Sequence, residues 1–428
     1  MYFVYNLFYT LIFIIIFPYL LLRGLFGRHG ILERLGRISL QQKLSSPLIW
    51  FHAASVGEVK ALATILPKLK RLKPDCSIAV SVVTKTGKKQ ARESLPQVDL
   101  IFYFPLDFPF ILRKVLKKLN PSFLVLVETE LWPNLIRESK KYGCKLSLIN
   151  GRLSQKSFNR YHRIKSFSRL VLSYFDQFLV QSPEDAKRFW ELGGAESKTE
   201  IVGNLKFDRV ILGINGLDKG HLRKNLGLLT KDRLIIAGST HPEEEKIILS
   251  VFMRLKEETK GLVLLLAPRH LSRLSEIEEI LSGFNLSYIK KSLIRKDKVA
   301  EIILLDTMGE LEKLYSIAEL AFVGGSLIPV GGHNILEPAS YGIPVLFGPH
   351  IENFKSASDL LLKFGGGIMV KDEEEFYQQA FSLLKNETLR KELGKKAKEA
   401  LSSQSGISDK TVQLLLQLLS ENTKDEKN

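Results

Sequence analysis

LIWFHAASVGEVKALATILPKLKRLKPDCSIAVSVVT, residues 48–84, holds the fold in miniature. An apolar, β-rich run (48–55) passes through a Gly-containing turn into a helix-like segment, and a second apolar run follows (77–84). Strand, helix, strand is the unit of a parallel sheet covered by helices on both faces. The alternation continues through FLVLVE (123–128), KLSLIN (145–150) and FDQFLVQS (175–182), with helical stretches such as PEDAKRFWELG between them. After EIVGNLKFD (200–208) the chain turns polar, with Gly and Lys, up to about Arg233. It then restarts with RLIIAGST (233–240), LVLLLAPRH (262–270), EIILLD (301–306), LAFVGGS (320–326) and IPVLFGP (343–349). The expected architecture is α/β: two doubly wound, Rossmann-like domains facing a cleft. They cover residues 23–210 and 233–423, with a linker at 211–232 and a polar tail at 424–428.

The whole chain has 428 residues, long enough for two domains that each bury a core. Hydrophobic residues at 45% and charged residues at 25% exclude a disordered chain. Only Cys76 and Cys144 are present, which excludes a disulfide framework and leaves no Cys-based zinc site. The two thiols fit a reducing compartment. The net charge of +16 asks for an anionic partner. No recognition motif or aromatic–basic platform points to nucleic acid, so the expected partner is an anionic lipid surface.

Residues 2–22, YFVYNLFYTLIFIIIFPYLLL, hold no charge. As a helix they would reach about 31 Å, close to the hydrocarbon thickness of a bilayer. Arg23, Arg28, Arg34 and Arg37 follow, so the positive-inside rule places the body on the cytoplasmic side. A cleaved signal would need a basic start and a small-residue cleavage site, and neither is present. Asn6, Thr10 and Pro18 weaken a clean span, which leaves open a helix lying in the membrane interface.

Open parallel sheets bind ligands beyond the carboxyl ends of their strands. Glu58 stands at such a turn, either as a helix-start acid favoured by the macrodipole or as a general base. The dipole should lower its pKa and keep it ionised. Glu128 and Glu130 end the run that starts at Phe123, as solvated loop acids or as a working pair. Lys206 is either a surface lysine or a cation for a leaving phosphate. Arg269 follows an apolar run, where its planar fork suits phosphate. FVGGSLIPVGGHNILEPASYGIPVLFGPH (322–350) is the densest signal. Gly324 and Gly325, with Ser239 on the earlier run, are donor-loop candidates whose amides would approach a phosphate. Glu337 could accept two sugar hydroxyls. His333 lacks a third ligand nearby, and the chain has no Asp-x-Asp, so no metal or other cofactor is expected.

SVGE, ETELWPN, NGRLS, GNLKFD, GSTH, PRH, DTMGELEKLY, FVGGS, GGHNILEP and GPHIENF occur in the order found in 3-deoxy-D-manno-octulosonic acid (Kdo) transferases. The chain resembles that family from its N-terminus to about residue 355. The resemblance implies a GT-B glycosyltransferase of lipopolysaccharide biosynthesis. Such an enzyme moves Kdo from CMP-Kdo to the lipid A precursor, lipid IVA, at the inner face of the bacterial inner membrane. It also implies Glu58 as proton acceptor, with Glu128 and Lys206 stabilising the transition state. CMP binding would fall to Pro268, Arg269, Met308, Gly309, Glu310, Asn334, Ile335, Leu336 and Glu337. Without the resemblance, another nucleotide sugar, or an inactive lipid-binding protein on the same fold, stays open.

Overall fold

The computed structural model describes residues 1–22, 28–40, 44–212, 217–295 and 300–425. The chain divides into two compact units: residues 1–209 with 406–428, and residues 210–405.

The first unit holds β1 (Leu48–Ala53), β2 (Ser77–Val82), β3 (Leu100–Tyr103), β4 (Phe123–Val127), β5 (Lys145–Gly151), β6 (Gln177–Val180) and β7 (Thr199–Ile201). All pairings are parallel, in the order β3-β2-β1-β4-β5-β6-β7. Every residue of β1, β2 and β4 is buried, which is why these strands read as continuous apolar runs and not as alternating ones. Chain order reverses between β1 and β4, so the sheet has its switch point there.

The second unit repeats the plan with β8 (Arg233–Thr240), β9 (Leu262–Pro268), β10 (Tyr288–Lys290), β11 (Ile302–Leu304), β12 (Leu320–Val323), β13 (Val345–Phe347) and β14 (Gly367–Met369). Its order is β10-β11-β9-β8-β12-β13-β14, again parallel, with the switch between β8 and β12. Strands β3, β10 and β14, absent from the sequence reading, are three- or four-residue edge strands. β3 and β10 are mostly half-exposed, so neither shows a long apolar run.

Three expected boundaries differ. The Lys219–Asn225 helix lies inside the stretch read as a linker, and Leu226 is buried in the second unit's core. That segment is part of the second unit, although residues 213–216 lie outside the described ones. The C-terminal helix Ile407–Asp425, read as part of the second domain, belongs to the first unit. Buried Asp208 accepts from the backbone N–H of Gly406 at 3.1 Å and of Ser408 at 2.5 Å. Lys68 holds Asp409 at 2.7 Å. The same helix extends through Lys424 and Asp425, read as tail; residues 426–428 lie outside the description.

The expected spanning anchor is also corrected. Residues Tyr2–Leu22 do form one helix. However, among the described residues no helix is long and apolar enough to cross a membrane. One side of its first turns is docked on the first unit. Tyr2 donates to the Pro133 carbonyl at 3.2 Å, and Tyr5 donates to the Asp107 carboxylate at 2.8 Å. Asn134 donates to Asn6 at 2.6 Å, and the Asp107 N–H donates to the Tyr9 oxygen at 3.1 Å. Tyrosine and asparagine at helical spacing thus supply a polar docking stripe that a count of charges does not register. The opposite side exposes Phe3, Phe8 and Ile15. Of the arginines that follow, Arg23 lies outside the described residues, and Arg34 donates to the Val83 carbonyl over the Tyr103 ring.

Asp208→Ala should leave two backbone N–H groups without their acceptor and cost roughly 1–3 kcal/mol. Urea denaturation and limited proteolysis around residue 405 would read it. An unchanged midpoint would mean that the C-terminal helix is held by its apolar face alone.

Candidate active site

At the carboxyl end of β1 the chain leaves through Ala54 and Ser55 into the Val56–Leu72 helix. Ser55 is the N-cap and accepts from the Glu58 N–H at 3.3 Å. The Glu58 carboxyl folds back, accepting from the Ala54 N–H at 2.6 Å and from the Ser55 hydroxyl at 2.9 Å. This is a capping box in which the acidic member reaches one residue beyond the cap. Glu58 is only 5% exposed. Its pKa is pushed up from 4.5 to about 8, first by burial and then by the carboxylates of Glu128 and Glu130, against the two hydrogen bonds. The expectation that the helix dipole keeps Glu58 ionised is therefore wrong. The dipole contributes roughly 0.3–1 kcal/mol, less than one pKa unit. Burial of a carboxyl shifts its pKa by up to ~3–5 units.

The facing carboxylates come from the end of β4, across the switch point. Glu128 adopts φ 59°, a left-handed conformation uncommon for a side chain of this size, while its N–H still bonds the Ile149 carbonyl at 2.9 Å. Such strain concentrates where side-chain direction matters. Glu130 accepts from the Trp132 indole N–H at 2.9 Å and stands 3.8 Å from Nε2 of His52. Burial works to raise the Glu130 pKa, but His52 and Trp132 outweigh it and the net shift is downward. His52 is fully buried on β1, with Nδ1 2.9 Å from the Ser81 hydroxyl on β2. A proton on Nε2 leaves Nδ1 to accept from Ser81 and points the N–H toward Glu130.

Lys206 lies in the first turn of the Leu205–Leu212 helix, after β7. Asn150, buried at the end of β5 with φ 52°, accepts from the Leu205 N–H at 3.1 Å and so ties that turn to the carboxyl edge.

In the second unit the expected donor residues gather at the carboxyl edge. Pro268 ends β9, with Arg269 and His270 exposed just beyond it. Met308 and Gly309 form an exposed tip after β11. Glu310 there is bound by Lys291 at 2.7 Å and by the Thr307 hydroxyl. Asn334 donates to Glu337 at 2.9 Å at the start of the Leu336–Ser340 helix, and Ile335 is its N-cap.

The glycine loop is a second correction. The amides at Gly324 and Gly325 were expected to approach a phosphate, but the Gly324 N–H donates to the Gly238 carbonyl at 2.8 Å and the next three are taken up as well. The N–H groups of Gly325, Ser326 and Leu327 donate to the fully buried carboxylate of Glu244, at 2.7, 3.0 and 3.0 Å. Gly324 answers a steric need, since a Cβ there would stand 2.7 Å from the Thr240 Cα. Ser239, with φ 57°, sits at the bulge where β8 ends. Side chains supply the other polar groups of this edge. His241 and His333 stack with their Nε2 atoms 2.8 Å apart, and His270 meets His241 edge-on. Burial, then His241, Arg269 and His270, push His333 down to about 4, and His241 shifts the same way. Both rings are uncharged at neutral pH and share one proton. Arg269 remains the fixed charge beside them.

His52 and Glu244 were not selected as site residues from the sequence, and Glu130 was weighed there only as a partner of Glu128. A histidine inside an all-apolar strand and a second acid two residues after Glu128 were the available signals. Nothing local marked Glu244. Among the described residues no group of three or more His, Cys, Asp or Glu side chains is arranged to hold a metal ion.

Two parallel, doubly wound units with polar clusters at their switch points make a GT-B-like α/β architecture. The UDP-GlcNAc 2-epimerase of Neisseria meningitidis shares this fold, with a TM-score of 0.65 and 13% identity over 86% of this chain and 100% of that one. A family model described as 3-deoxy-D-manno-octulosonic-acid transferase (kdotransferase) matches residues 29–209, nearly the whole N-terminal part of the first unit. A 3-deoxy-D-manno-octulosonic acid transferase of Chlamydophila psittaci is 35% identical over 325 residues, 76% of this chain and 74% of that protein. A bifunctional glycosyltransferase/methyltransferase of Fusobacterium nucleatum is 38% identical over 344 residues, and the match spans 79% of this chain but only 53% of that protein. The chain belongs to the 3-deoxy-D-manno-octulosonic-acid transferase family.

Glu58→Gln should stabilise the fold in a pH-dependent way. With a folded pKa near 8 and an ordinary value of 4.5, ionising Glu58 opposes folding; the penalty is absent below about pH 4.5 and complete above about pH 8. The melting-temperature gain of the variant should therefore grow between pH 5 and pH 9. A gain that shrinks with pH would contradict the raised pKa.

Proposed function

We propose that this chain transfers Kdo from CMP-Kdo to the lipid A precursor lipid IVA, releasing CMP. The observation that carries the reading is the Glu58 carboxyl, buried among two other carboxylates with its pKa near 8. A general base works best with a pKa close to the working pH. Glu58 takes the proton from the attacking sugar hydroxyl as the bond to CMP breaks. Glu128 and Glu130 place negative charge where an oxocarbenium-like centre develops, and His52 and Trp132 orient Glu130. Direct displacement inverts the anomeric carbon.

A nucleoside monophosphate leaves with less charge than a diphosphate. Lys206 and Arg269 serve as its fixed cations, and no metal is invoked. The uncharged His241–His333 pair offers one N–H to an anionic oxygen. Glu337, oriented by Asn334, accepts ribose hydroxyls, while Met308, Gly309 and Glu310 border the same edge. The exposed apolar side of the N-terminal helix lies in the interface of the inner membrane's cytoplasmic leaflet, and the excess of Lys and Arg favours its anionic lipids.

Two variants separate the roles. Glu58→Gln should lower turnover by roughly 10²-fold or more while CMP affinity barely moves. Glu337→Gln should weaken CMP binding by about 1.5–3 kcal/mol, the scale of a charge-assisted hydrogen bond. Calorimetry with CMP beside a product assay reads both. If Glu58→Gln abolished CMP binding and Glu337→Gln left it intact, the roles would be reversed. The pH dependence supplies a further check: kcat/KM should rise through pH 8, because only ionised Glu58 accepts a proton. Glu130→Gln removes a neighbouring negative charge and should move that inflection to lower pH. An inflection that stays in place would disconnect Glu130 from the base.

A further inference from the structure

Beside the carboxylates, the first unit encloses a cavity of about 380 Å³. That is within the ~300–1,000 Å³ of small-ligand sites. Its walls are Tyr5 of the N-terminal helix, Leu131 and Trp132 of the turn after β4, and Phe167 and Val171 of the Lys165–Leu172 helix. Glu130 lies at its polar end. We propose that this cavity takes one acyl chain of the acceptor, so that the chain end of an anionic lipid is sorted here while its sugar meets Glu58. The inference rests on the acceptor being a lipid, as read above.

Four observations carry it. Most polar groups of the wall already have partners: Trp132 donates to Glu130 at 2.9 Å, the Ser168 hydroxyl to the Tyr161 carbonyl at 2.9 Å, Tyr5 to the Asp107 carboxylate at 2.8 Å, and Thr129 to the Arg152 carbonyl. What remains facing the cavity is mainly aromatic and aliphatic. A sugar or a peptide would bring hydroxyl or backbone groups that such a wall leaves unpaired, at a cost of ~1–3 kcal/mol each, whereas a hydrocarbon chain brings none. Second, Glu130 belongs both to the cavity wall and to the carboxylate group that raises the Glu58 pKa. A ligand seated in the cavity is therefore next to the base.

Third, Tyr5 is the inner side of a helix whose outer side exposes Phe3, Phe8 and Ile15. An apolar surface of this kind supplies lipid rather than water to the cavity. Fourth, the Gln155–Arg163 helix, whose Tyr161 lines the cavity, exposes Lys156, Arg160 and Arg163, and Arg169 is exposed on the next helix. That charge complements a phosphorylated head group above an apolar tail.

The test uses the full chain and two acceptors: a phosphorylated, acylated glucosamine disaccharide and the same disaccharide phosphate stripped of its acyl chains. Ile164 lines the cavity yet is 53% exposed, so Ile164→Trp narrows the space without disturbing a core position. The KM for the acylated acceptor should rise roughly tenfold or more, the scale on which apolar pockets respond to changes in fit. The KM for the stripped acceptor and the Kd for CMP should stay within about twofold of the unmodified chain's, on the same reasoning. Independently, a diazirine at the end of one acyl chain should label Leu131, Trp132, Phe167 or Val171. Equal KM changes for both acceptors, or labelling confined to Phe3, Phe8 and Ile15, would overturn the proposal. If the unmodified chain transferred Kdo to neither acceptor, the functional reading would fail, while the labelling pattern would still decide what the cavity holds.

Discussion

A carboxyl group held out of water at the end of β1 is the constraint around which the first unit is built. Glu58 is fixed by the Ala54 N–H and the Ser55 hydroxyl, so it caps a helix and faces two other acids at once. These duties conflict. Capping favours the ionised form, whereas burial and Glu128 and Glu130 oppose it more strongly. The result is a carboxyl that keeps its proton up to about pH 8. Its cost is carried by the rest of the unit: the dry strands β1, β2 and β4, and the His52–Ser81 contact that orients the neighbouring acid.

The second unit has the same topology, and the loop amides at its switch point are closed by its own carboxylate, Glu244. That internal anion rigidifies the glycine loop. Arg269 and the His241–His333 pair stand at the same edge. Uncharged imidazoles cost little to bury, and a single N–H offers direction without adding charge.

Between helix and body, the N-terminal segment joins location to chemistry. Its tyrosines and Asn6 bond the first unit around Asp107 and Asn134, and Tyr5 also walls the cavity beside Glu130. A helix used this way is a fixed part of the body with one apolar side turned outward. Its composition alone suggested a span, because composition weighs residues without regard to the side of the helix on which they lie.

Much of this protein was legible in the chain itself. Dry parallel strands are continuous apolar runs, so β1, β2, β4, β5, β8 and β9 could be read directly, and with them the polar turns at their ends that carry Glu58, Glu128 and Arg269. Motif order was sufficient for the family. Tertiary structure decided the rest, because each remaining feature depends on atoms distant in sequence. The Glu58 pKa is raised by burial and by acids seventy residues away, the glycine loop is satisfied by Glu244 from the helix after β8, and the last helix, after the whole second unit in sequence, bonds back to Asp208. Edge strands escaped for a related reason: half-exposed and three or four residues long, they are specified by the neighbour they pair with. Local pattern determines which segments form strands and helices. Burial and charge, which sum over all neighbours in space, determine what the side chains at their ends can do.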